Sequence, residues 1–198
     1  MRELRSHQLY PPKACVALLT VLVVIISGVK TIAARTSQQE SETVPPGQEK
    51  KLGIAVPRHL PLKVRVDNLN SRNWAHDLEV EVTNTSERPI YFLRFSIILP
   101  EIRGSAGHKL GFQLYYGRGE LMDFETPVGP DDVPLQPGET YTFKISEGSA
   151  NGWDYLIEKE GEPEPKIIKL FFQQLNFGDG TGYFDSGGTP VNIHKKNQ

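Results

Sequence analysis

Asp179-Gly180-Thr181-Gly182-Tyr183-Phe184-Asp185 is the stretch best suited to metal chemistry, with two carboxylates six residues apart and glycines between them. Ca2+ takes 6–8 oxygens, often carboxylates and backbone carbonyls on a tight loop. Asp179 and Asp185 are therefore the metal candidates, with Asp131 and Asp132 as further donors if folding brings them near. Asp-Gly is also the signature of a tight turn, and a turn is the plainer expectation. A second set is aromatic. Trp74, Tyr115 and Tyr116, with Trp153, offer flat rings for stacking against pyranose sugars, and Arg72, Asn73 and Arg118 offer hydrogen bonds. Against this, aromatic residues make up an ordinary 9% of the chain. Most Tyr and Trp in small sandwiches fill the core and leave one polar edge exposed.

Patterns for covalent or phosphate chemistry are weak. Asp185-Ser186-Gly187-Gly188 resembles the nucleophile loop of trypsin-like proteases, but Phe184 stands where those have Gly, and no Ala-Ala-His-Cys-like stretch precedes it. A triad must be recognised by geometry rather than by one loop. His7, His59, His76, His108 and His194 include no pair at the i, i+4 spacing of a zinc protease and no His-x-His. Gly104-Ser105-Ala106-Gly107 and Gly117-Arg118-Gly119 lack the Gly-Lys-Ser/Thr of a phosphate loop. Asn84-Thr85-Ser86 is a formal glycosylation sequon, read here as turn chemistry.

The elements that must position these residues are strands. Leu62, Val64 and Val66 alternate with Lys63, Arg65 and Asp67, and Leu78, Val80 and Val82 alternate with Glu79, Glu81 and Thr83. Such a period of two puts an aliphatic row on one face and charges on the other. Ile90 to Leu99 is nearly continuous apolar sequence, expected as a central strand covered on both faces and stopped by Pro100. Further strands are expected at Phe112–Tyr116, Tyr141–Ile145, Ile167–Phe177 and Gly182–Phe184. Trp153, Leu156 and Ile157 have helical spacing, which predicts a short connecting helix with Ser149 or Asn151 as N-cap and an end at Gly161 and Pro163. Strands without βαβ alternation point to an all-β fold, an antiparallel immunoglobulin-like β-sandwich of about seven to nine strands.

Several of these segments carry a family resemblance. Leu135-Gln136-Pro137-Gly138-Glu139-Thr140 is similar to a turn of many bacterial Ig-like domains, and Val82 to Ser86 followed by Pro89-Ile90 is similar to a hairpin of exported Ig-like modules. Asn176-Phe177-Gly178-Asp179-Gly180-Thr181 resembles a stretch of polycystic-kidney-disease (PKD) repeats, without their His-Thr-Tyr sequel. Over residues 62–184 the pattern looks like a group of uncharacterised exported bacterial proteins. The resemblance implies a fold and export, and no chemistry.

Charge and composition set the compartment. The 198 residues hold 22 Lys+Arg and 24 Asp+Glu, a net charge of -2 that disfavours a nucleic-acid binder. Arg2, Arg5 and Lys13 precede an apolar run from Ala14 to Val29, and Ala33 and Ala34 follow. That is the order of a secretory signal peptide, with cleavage near Ala33 or Ala34; the alternative is a retained membrane anchor. Cys15, the single cysteine, lies in this run, so the remainder must be stable without disulfides. The expected organisation is a signal peptide or signal anchor at 1–34, a disordered linker at 35–56, a sandwich at 57–188 and a flexible tail at 189–198. The expected function is an exported, non-enzymatic interaction or structural module of the cell envelope, its partner an envelope protein or a glycan. The alternatives are a carbohydrate-binding module and a hydrolase assembled from scattered residues. No cofactor is expected, with Ca2+ the one ion to consider.

Overall fold

The computed structural model describes residues 49–104 and 107–195. The expected signal segment at 1–34 and most of the 35–56 linker lie outside the described residues. Nine strands are present among the described residues: β1 Lys51–Ala55, β2 Leu62–Asp67, β3 Glu79–Asn84, β4 Phe92–Arg103, β5 Lys109–Tyr116, β6 Thr140–Lys144, β7 Ile167–Asn176, β8 Thr181–Phe184 and β9 Thr189–Asn192. They form two sheets of a β-sandwich. The larger runs β5-β4-β7-β8-β9, and the smaller β2-β3-β6. All pairs are antiparallel except one: β1 lies parallel to the first half of β7, from Lys51 beside Ile167 to Ala55 beside Phe171.

Alternation determines what each strand buries. Val80 and Val82 of β3 and Phe143 of β6 face Phe95, Ile97 and Leu99 of β4 and Ile168, Leu170 and Phe172 of β7 in one apolar core. Phe95 sits edge-on to both Phe143 and Phe172, at 5.7 and 6.0 Å between ring centres. β4 is central and covered on both sides, as its apolar run requires. Phe92, on its other face, is fully buried. The cover there is the long connection from β5 to β6, which crosses the outside of the large sheet. Asn176 Nδ2 donates to Leu121 O and Gln174 Nε2 to Met122 O, at 2.8 and 2.6 Å, fastening this strap to β7.

The structure corrects several details. Pro100 does not stop β4, which continues to Arg103. Pairing with β7 ends at Ile98, and pairing with β5 shifts between Leu99 and Arg103. Pro100 falls in that irregular stretch, where its missing N–H costs no ladder bond. Two strands lie outside the range assigned to the sandwich: β1 in the expected linker and β9 in the expected tail. Both sit at sheet margins and hold no fully buried residue, so neither needs the apolar alternation that marked the others.

Among the described residues there are two α-helices where one connecting helix was expected. α1 is a single turn, Trp74–Asp77, and α2 runs Glu147–Glu160 between β6 and β7, joining the two sheets. Ser146, not Ser149 or Asn151, caps α2, its side chain accepting from Ser149 N. Starting there places Ala150 and Trp153 on the buried face. Gly161 ends the helix at φ 70°, a left-handed conformation that glycine adopts without strain.

Candidate functional site

A groove of about 820 Å³ lies where one margin of the sandwich meets the strap. Four tyrosines line it: Tyr91 from just before β4, Tyr115 and Tyr116 from the end of β5, and Tyr141 from β6. β5 and β6 are the terminal strands of their sheets. The Tyr116 and Tyr141 rings meet there, 4.7 Å apart and edge to face. Neighbouring residues of a strand point to opposite faces, so Tyr115 turns outward and is 50% exposed. Tyr116 leans on the core. Gly117 closes the back of the groove. Its φ is 86°, and a Cβ there would lie 2.0 Å from Tyr91 O, so no side chain fits.

The strap wall is fixed by polar contacts. Arg118 Nε and Nη2 donate to the two carboxylate oxygens of Asp132, both at 3.0 Å, and Gly129 N donates to the same carboxylate at 2.7 Å. These donors, Arg118 first, hold the Asp132 carboxyl below the usual carboxylate range, against the opposing effect of burial. Tyr116 Oη donates to Val133 O at 2.9 Å. Burial, then the nearby charge of Glu139 and Tyr141, pushes the Tyr116 phenol up. None of the lining residues is Ser, Thr, Cys or His. What the groove presents is ring faces, tyrosine hydroxyls and the exposed carboxylate of Asp131, which makes no ion pair among the described residues.

The residues singled out in the sequence are distributed differently from expectation. Tyr115, Tyr116 and Arg118 come together, joined by Asp131 and Asp132. Trp74 does not belong with them: it is 1% exposed, packed 5.6 Å from Trp153 and 6.0 Å from Phe112, and its Nε1 donates to Glu164. The two indoles bury against each other because α1 and α2 close one end of the core. Arg72 and Asn73 accompany them around a separate cavity of about 340 Å³. The expected four-ring sugar platform is thus not assembled. Tyr91 and Tyr141 take the places of the tryptophans.

The two carboxylates of the metal candidate are also apart. Asp179 lies in the β7–β8 turn and Asp185 in the β8–β9 turn, at opposite ends of β8. Asp179 accepts from Thr181 N and Oγ1 at 3.1 and 2.6 Å and pairs with Arg88. Burial raises its carboxyl, and these partners outweigh that, leaving it below the usual range. Asp185 accepts from Thr189 Oγ1 at 2.8 Å and Gly187 N at 2.7 Å, which lower it likewise. Each carboxylate caps its own turn. Among the described residues no cluster of three or more His, Cys, Asp or Glu could hold a metal ion.

One histidine has a specific environment. His76 on α1 meets Asp154 of α2 through Nε2 at 2.8 Å, with Glu147 3.7 Å from Nδ1. Asn84 is fully buried and spent in its turn, donating to Arg88 O and Leu135 O and accepting from Ser86. Comparison of the chain with family models finds no match, and comparisons with curated proteins and with solved structures find none either.

Proposed function

We propose that this chain is an exported, non-enzymatic interaction module of the cell envelope, an Ig-like variant of the sandwich that engages its partner through the tyrosine groove. The observation that carries the reading is the convergence of Tyr91, Tyr115, Tyr116 and Tyr141 on one open concavity. Aromatic side chains with one apolar body and one polar tip are the residues that dominate protein interfaces. The residues that shape the wall, Arg118 and Asp132, satisfy each other and need no ligand to stay in place. Export rests on the charge and hydropathy order of residues 1–34.

The test is a pull-down from envelope extract with the full chain beside its Tyr115→Ala variant. A partner retained by the former and lost by the latter is the expected result; equal recovery refutes the groove as the binding face. N-terminal sequencing of the native protein, expected to begin near Arg35, checks export. A second reading, a carbohydrate-binding module, is favoured by the exposure of Tyr115 beside Tyr116 and Tyr141. Retention on a glycan array, abolished by Tyr115→Ala, is its expected signature.

A further inference from the structure

We infer that the tyrosine groove takes an extended, basic segment of polypeptide, with a Lys or Arg side chain directed to Asp131 and apolar or prolyl residues laid on the tyrosine rings. The inference rests on the reading of this groove as the binding face, and three observations narrow its occupant. The first is charge. Arg118 is the only cation among the lining residues, and it is neutralised by Asp132 through two parallel hydrogen bonds, with Glu120 3.7 Å away. Asp131 is left as an exposed, unpaired carboxylate among the described residues. Ring faces add to it, since the π-cloud of tyrosine attracts cations. A groove of this charge favours a positive ligand and disfavours an acidic one.

The second observation is the backbone. β5 and β6 are both terminal strands, and their outer edges flank the contact between Tyr116 and Tyr141. A terminal strand presents N–H and C=O groups that an incoming extended chain can pair with. The third concerns side-chain polarity. A sugar is recognised by polar groups that are available to its hydroxyls, yet here the Arg118 guanidinium, the Asp132 carboxylate and the Tyr116 hydroxyl already have protein partners. Aromatic walls whose guanidinium and inner carboxylate are already spent on each other suit prolyl and apolar side chains, beside the one free carboxylate of Asp131.

The experiment titrates the full chain with a synthetic peptide of Ala-Pro-Arg repeats, with the same peptide carrying Glu for Arg, and with chitohexaose. Saturable binding of the Arg peptide alone is expected, weakening as salt rises. Tyr115→Ala weakens it by about tenfold, and Asp131→Asn by about threefold. Tyr155→Ala, an equally exposed tyrosine on α2, leaves it unchanged. No binding of the Arg peptide, equal binding of the Glu peptide, or indifference to Tyr115→Ala overturns the inference. Chitohexaose binding that depends on Tyr115, without Arg-peptide binding, also overturns it while leaving the groove as the binding face. The binding-face reading itself falls only if Tyr115→Ala leaves recovery from envelope extract unchanged.

Discussion

At the scale of single residues, several carboxylates are spent on their own turns. Asp179 and Asp185 show how a metal motif and a turn motif coincide: both need carboxylates on tight, glycine-bearing loops. What separates them is whether two loops meet, and that depends on the pairing of β8, which spacing alone does not encode. His76 makes the sharpest residue-level prediction. Its hydrogen bond to Asp154 raises the imidazole pKa, burial opposes this, and the charges of Asp154 and Glu147 add to the rise. A group raised in the folded state contributes stability at pH below its unfolded value, about 6.5, and loses it as pH climbs through the folded value. An NMR titration of His76 is therefore expected to give a midpoint above 6.5, and Asp154→Asn to bring it down. Trp74 supplies a second. As a sugar platform it would be dispensable for folding; buried against Trp153 and Phe112, its replacement in Trp74→Ala is expected to cost about 3–5 kcal/mol in chemical denaturation.

Elements were legible to the degree that they bury something. β2, β3 and β6 announce themselves through alternation, and β4 through an apolar run matched by two covered faces. β1 and β9 bury little and are held chiefly by backbone pairing, for which side-chain sequence carries no code. The Gln136-Pro137-Gly138-Glu139 turn was readable because proline at its second position and glycine at its third, here at φ 81°, suit a type II turn. The α2 cap was not, because several hydroxyl and amide side chains stand near its start and only the direction of the core selects among them. Ser146→Ala is expected to lower stability by about 1 kcal/mol, measured by thermal or urea unfolding, whereas Asn151→Ala removes no cap.

For the molecule as a whole, an all-β sandwich with a helix joining its sheets followed from the order of periodic segments. The groove did not. It draws on residues 91, 115–118, 129–133 and 141, four pieces brought together only once β5 and β6 take terminal positions and the strap folds over the large sheet. Tyr115 and Tyr116 could be singled out as adjacent rings, but their meeting with Tyr91 and Tyr141 is a property of tertiary arrangement. The parallel contact between Lys51 and Ile167 has a consequence for biosynthesis. Closing so long a stretch of chain before any pairing energy returns is entropically slow, so β1 must wait through the emergence of nearly everything else. A nascent chain halted ahead of Ile167 would hold both β1 and the centre of β4 without their neighbour, two open templates for association with other chains. Late completion of β7 is thus the moment at which this protein stops being a hazard to itself.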